Sequence, residues 1–251
     1  MTTCAALDNE IRRFADNVRG QDLSRRVPTC PEWNIAQLIT HVGGVHRWSA
    51  AMVRDRATSR LDRDTIDFGV PEHQADLPEW LLAGAKLLAQ AFDGVDPVTP
   101  MWAWGPEQSV RFWARRQLHE TVVHSADAVL AVGQEPVIVI SVACDAIDEF
   151  LENLPSMAYF SPQVAELKGN GETIHFHATD SADTHGEWMI TLVPEGFTVT
   201  HGHGKGDVAV RAPASDLLLL AAGRRSVRDA RFQTFGDIDL LGRWLSKSSF
   251  G

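Results

Sequence analysis

Arg115-Arg116-Gln117-Leu118-His119-Glu120-Thr121-Val122-Val123-His124-Ser125-Ala126-Asp127 sits inside a segment, residues 106–131, that reads as one helix ended by Gly133. On a helix Glu120 and His124 stand one turn apart on the same face. His119 is rotated from them by about 100° and points elsewhere. The spacing is HExxxH rather than HExxH, so a zinc-protease helix is excluded on geometry. A Glu and a His offer two ligands to a divalent ion, and an open catalytic site commonly takes three protein ligands plus water. The remaining ligand must come from a facing helix, where His41 and His46 are the candidates. His41 ends the stripe Leu38–Val42 and precedes Gly43-Gly44, where missing side chains let a neighbour come close, so the expected set is His41, Glu120 and His124. Asp127 is spaced to accept the free ring N–H of a histidine ligand. A Glu/His pair alone is common on solvated helices; Asp127 and the Gly-Gly break carry the metal reading.

Outward from this segment, apolar residues keep a helical period up to about residue 154. A first helix covers 5–18, with Leu7, Ile11, Phe14 and Val18 on one face. A second is expected to start with Thr29 or Cys30 as cap and Pro31 and Glu32 in its first turn. A third covers 77–92 and a fifth 139–151, so the pattern suggests an antiparallel bundle. After Pro155 the texture alternates. Residues 172–178, 187–193, 197–201 and 208–211 read as strands of an antiparallel meander, followed by helices at 214–222 and 239–245. The fold expected is α plus α+β: a helical bundle over 1–155, then a small α+β domain with an antiparallel sheet over 156–251.

Composition is that of a globular protein with a real core: 44% hydrophobic and 22% charged over 251 residues. Acidic residues outnumber basic ones 33 to 23, and a formal charge of −10 argues against a nucleic-acid partner. The start of the chain does not read as a signal peptide, and no apolar run is long enough to span a bilayer. Cys4, Cys30 and Cys144 form no CxxC pair and read as free thiols, so a cytoplasmic protein without membrane contact is expected.

Val27-Pro28-Thr29-Cys30-Pro31-Glu32-Trp33 and Leu38-Ile39-Thr40-His41-Val42-Gly43-Gly44-Val45-His46-Arg47-Trp48 resemble the N-terminal signature of the mycothiol-dependent maleylpyruvate isomerase family. Arg115-Arg116, His119-Glu120 and His124 resemble its second metal-bearing helix, and residues 206–217 its C-terminal domain. The three segments fall in the family's order and span nearly the whole chain. The resemblance implies a DinB-like four-helix bundle that binds a divalent ion, usually zinc, through His41, Glu120 and His124. It also implies a sterol-carrier-like C-terminal domain and mycothiol as thiol cosubstrate. The family's best-known reaction turns maleylpyruvate into fumarylpyruvate, while many relatives do other chemistry.

A thiol on a divalent cation is a thiolate at neutral pH. Adding to an activated double bond, allowing rotation about the resulting single bond and leaving again makes an isomerase, while displacing a leaving group and releasing the adduct makes an S-transferase. Either needs a cation near a substrate carboxylate, a role that suits arginine. Arg47 and Arg224 are the catalytic candidates, with Arg115 and Arg225 beside them. Trp102, in the loop before the metal-bearing helix, and Arg116, which shares the face of Glu120, are expected at the cofactor. Trp104 is grouped with Trp102, while Trp33, Trp48 and Trp113 read as core or pocket wall and Cys30 as structural. His175, His177, His185, His201 and His203 read as solvent-exposed histidines on a small sheet rather than as a second metal site. The partners expected are a small substrate and the thiol, for a monomer or homodimer. Two other classes stay open: a thiol-independent, hydrolase-like metal enzyme, and a noncatalytic module whose ion is structural, which His46 as a fourth ligand would favour.

Overall fold

Leu7, Ile11, Phe14 and Val18 bury the stripe expected of them along α1 (Thr3–Val18), and this spacing sets how the first helix meets its neighbours. In this computed structural model, which describes residues 3–182 and 184–248, the chain next forms a ribbon, β1 (Arg26–Val27) against β2 (Cys30–Asn34). The second helix therefore starts later than expected. Its N-cap is Asn34, not Thr29 or Cys30: the Asn34 side chain accepts from the Gln37 N–H, and the Gln37 side chain accepts from the Asn34 N–H. This reciprocal capping box satisfies two otherwise orphaned donors. Thr29 and Cys30 are engaged by Asp127 instead.

The first unit is completed by α2 (Ile35–Arg54), α3 (Leu77–Phe92) and α4 (Val110–Ala131). Each of α1 and α2 packs on both α3 and α4, which makes the expected four-helix bundle. The α2–α3 contact is close because of one residue. A Cβ on Gly43 would lie 2.1 Å from the Trp80 ring. The guanidinium of Arg47 lies over the same ring, 3.9 Å from its centroid, and donates to the carbonyls of Trp80 and Gly43.

The division between units falls between Pro136 and Val137, not near residue 155. The helix taken as fifth in the bundle, α5 (Ile140–Asn153), belongs to the second unit. Its apolar face, Ala143, Cys144, Ile147 and Leu151, is buried, and its Asp148 accepts the indole N–H of Trp188 at 2.6 Å. Amphipathic spacing shows that a face is buried but not against what.

The second unit holds β3 (Thr173–Ala178), β4 (Glu187–Val193), β5 (Gly196–His201), β6 (Val208–Ala212), α6 (Ala214–Ala221), β7 (Gln233–Gly236) and α7 (Ile238–Ser248). The sheet runs β5-β4-β3-β6-β7 and is mixed rather than antiparallel, because β6 lies parallel to β3, with Ile174 opposite Val208. Ile174, Phe176, Trp188, Ile190, Val208 and Val210 fill one face. To enter β6 the chain must leave β5 at the end of the sheet near Glu187 and return to the end near Ile174. Residues 202–207, Gly-His-Gly-Lys-Gly-Asp, make that passage across the other face. A Cβ on Gly206 would lie 3.3 Å from the Cβ of His175, and one on Gly204 3.0 Å from the Met189 side chain. β7 was not anticipated: it is a short, mostly exposed edge strand with no apolar alternation. Among the described residues no helix is long and apolar enough to cross a membrane.

Gly43→Ala drives a methyl group into the Trp80 ring, and overpacking of this kind costs about 1–3 kcal/mol. Chemical denaturation should show a lower midpoint for this variant. Gly242→Ala, where a Cβ meets nothing within 4 Å on α7, should be neutral or stabilising through helix propensity.

Candidate metal centre

α2 and α4 bring together the three residues expected to share an ion. Glu120 Oε1 lies 3.2 Å from His41 Nε2 and 3.3 Å from His124 Nε2. The two imidazole rings stand edge to face, their centroids 5.2 Å apart. The Nδ1–H of His124 donates to Asp127 Oδ2 at 2.9 Å, the partner its spacing called for. That bond settles the tautomer and leaves Nε2 facing Glu120. Asp127 is in turn held by the hydroxyl of Thr29 at 2.6 Å and the thiol of Cys30 at 3.5 Å, both from the ribbon before α2.

The electrostatics favour positive charge at this point. Burial works against ionisation of Glu120, yet His124, His41 and Arg116 outweigh it and hold the carboxyl well below its usual range. Burial also opposes protonation of His124, but Asp127 and Glu120 raise it to about 9. Two carboxylates in one pocket thus stabilise a cation, whether a proton or a metal ion. Two imidazoles and one carboxylate, with an outer carboxylate fixing one ring, are a donor set that fits zinc and its neighbours. Among the described residues this His/Glu group has three members. His46 is not among them. Its Nε2 meets the Thr121 hydroxyl at 2.9 Å, and complete burial lowers its pKa to about 3, so it stays neutral. His119 is buried and also outside the group.

Arg116 donates to Glu120 Oε2 at 2.8 Å, so it braces that carboxylate. Arg47 ties α2 to α3 through the carbonyls and ring described above. Arg224 belongs to the second unit, just beyond α6, and donates to the Ala222 carbonyl at 2.7 Å. Arg225 pairs with Asp216 at 3.0 Å. Trp102 lies in an aromatic cluster, 6.5 Å from Trp48 and 6.0 Å from Trp113 between centroids. Its carbonyl accepts the Trp113 indole N–H, which makes it part of the packing around these rings.

Two further residues stand at the centre, of which Arg63 was missed. Trp33, read as core or pocket wall, lies on β2 with its ring 4.7 Å from that of His41 and 6.0 Å from that of His124. Arg63 reaches in from the connection between α2 and α3: a Cβ on Gly44 would lie 3.4 Å from its guanidinium, and the charge of Glu120 acts on it. The Gly-Gly pair was the available sign that something approaches α2 here; it did not reveal what.

Residues 4–129 match the model of the mycothiol maleylpyruvate isomerase N-terminal domain, and residues 141–243 match the model of the C-terminal domain named with it. The fold is similar to a crystal structure of a mycothiol-dependent maleylpyruvate isomerase, with a TM-score of 0.56 at 14% identity over 92% of this chain and 91% of that one. A mutant of such an isomerase, histidine changed to alanine, is similar at a TM-score of 0.57 and 13% identity, with the same coverage. Among curated proteins, none matches the chain.

His41→Ala, Glu120→Ala and His124→Ala should each lower the bound divalent metal by one equivalent per chain, measured by elemental analysis after dialysis. Asp127→Asn keeps the ligands but loses the fixed tautomer, and its affinity should fall by roughly 10–100-fold. Full occupancy in all three alanine variants would rule the centre out.

Proposed function

The chain belongs to the mycothiol maleylpyruvate isomerase family, and from that premise we propose that it is a metal- and mycothiol-dependent enzyme acting on a small, anionic electrophile, as an isomerase or S-transferase. The observation that carries this reading is the group His41, Glu120 and His124, backed by Asp127, in the half of the chain that matches the family's N-terminal domain. When bound there, a divalent ion, for which zinc is the best fit, would supply with the thiol a nucleophile present at neutral pH, able to add to an activated double bond and leave again or to displace a leaving group from the substrate.

The chain's own residues set the conditions for that chemistry. His41 and His124 present ring nitrogens from two helices, and Glu120 completes the set through Oε1 while Arg116 occupies Oε2. Three protein ligands leave room for a further one from solution, which is the arrangement of a catalytic rather than a structural ion. The Trp33 ring beside both histidines gives the centre an apolar wall that limits access of water. An anionic substrate needs a fixed cation nearby. Arg63, half-buried and electrostatically linked to Glu120, fits that duty better than Arg47, whose guanidinium joins α2 to α3.

Cobalt-substituted protein titrated with mycothiol should develop a sulfur-to-cobalt charge-transfer band, absent with glutathione and absent in His124→Ala. No band with mycothiol, together with turnover independent of any thiol, would sink the thiol reading and favour a hydrolase-like enzyme.

A further inference from the structure

The histidines expected to be exposed on the sheet are not scattered. His175 and His177 alternate with Ile174, Phe176 and Ala178 along β3, so they stand on the face opposite the apolar core. Even so, His175 is only 3% exposed, because residues 202–207 cross over it. Glu187 sits directly across from His177 on β4. His203 lies two residues beyond β5, next to Gly202, whose N–H donates to the Glu187 carbonyl.

All three imidazoles converge on one atom. Glu187 Oε2 is 3.0 Å from His175 Nε2, 3.1 Å from His177 Nδ1 and 2.7 Å from His203 Nδ1. The ring centroids form a nearly equilateral triangle with sides of 5.8, 5.6 and 5.8 Å, each pair close to perpendicular. A carboxylate oxygen offers about two lone-pair sites, so three ring N–H donors compete for fewer acceptor positions. A cation among the four groups removes the conflict: each ring turns a lone pair rather than a proton toward the centre. All four ligand atoms lie within 4.8 Å of one another. A tetrahedral site with bonds of about 2.0–2.1 Å has edges of about 3.3–3.4 Å, a small outward adjustment from the three carboxylate-to-imidazole distances.

We propose that His175, His177, Glu187 and His203 form a second metal site, for a zinc-like divalent cation, that fastens the glycine-rich passage between β5 and β6 onto the sheet. Three imidazoles exclude calcium and magnesium, which take oxygen sets, and suit the later first-row metals. Four protein ligands close a tetrahedron, the arrangement of a structural rather than a catalytic ion. Two ligands come from one strand, one from its paired neighbour and one from the passage, so the ion would join the passage to two strands already held together in the sheet. At the far end of the passage Asp207 already anchors it, accepting from the N–H and the hydroxyl of Thr173 at 2.8 Å. The metal supplies the matching anchor at the near end.

The test is zinc stoichiometry on the full-length, tag-free chain by equilibrium dialysis, comparing the wild type with His203→Ala and His177→Ala. His203 is largely exposed, so its loss leaves the core packing intact. The result expected is two ions per wild-type chain and one in each variant, with added zinc raising the thermal midpoint of the second unit in the wild type but not in His203→Ala. One ion in the wild type and none in His203→Ala supports this site and fails the bundle's centre instead. Equal stoichiometry in wild type and both variants overturns the proposal.

Discussion

A carboxylate taken out of water must be surrounded by positive charge or hydrogen-bond donors, and Glu120 is where this requirement organises the bundle. His41 reaches it from α2 and Arg116 and His124 from α4, so its two oxygens are engaged from two helices at once. The requirement then propagates. His124 must be oriented, so Asp127 is buried behind it, and Asp127 needs Thr29 and Cys30, which draws the ribbon before α2 against α4. Such buried networks contribute little net stability, since desolvation offsets most of the attraction. What they contribute is specificity: one arrangement of α2, α4 and the ribbon satisfies every member, and a slipped helix satisfies none.

The two histidine groups illustrate how similar donor sets suit different ends. In the bundle, three donor side chains lean on an outer carboxylate and an aromatic wall. In the sheet, three imidazoles and a carboxylate close on themselves, with one donor carried by a connection rather than by an element of the sheet. Ligand number and backing, more than ligand type, separate a centre suited to chemistry from one suited to fastening.

How much of this could be read from residues alone depended on range. The third helix was legible over its full length, and the Glu120/His124/Asp127 spacing was legible because helical periodicity fixes which side chains share a face. The start of α2 was misplaced: Pro31 and Glu32 suit a first turn, but Asn34 and Gln37 cap each other better, and the residues before them pair as a ribbon. Longer-range facts left no local trace. Nothing in α5 says that its partner is α6 rather than the bundle, and strand alternation does not reveal that β6 runs parallel to β3. The burial of His175 is the clearest case. Its covering is a polar, glycine-rich passage, a composition that by itself reads as an ordinary exposed turn.

The mixed sheet also imposes an order of assembly. β4 and β5 are separated by two residues, Pro194 and Glu195, and β3 meets β4 after a short excursion, so the antiparallel half closes only small loops. β6 has to find the other edge of β3 across 34 residues, as the Thr173–Asp207 pair measures, at a greater loop-closure entropy. The three-stranded ribbon is therefore the natural early structure, with the outer edge of β3 as the template on which β6, and after it β7, condense last. Until they arrive, that edge is an unpaired row of backbone donors and acceptors on a strand whose Ile174, Phe176 and Ala178 belong to the apolar core. The nascent chain is most exposed to wrong pairing in the interval between completing β5 and delivering β6.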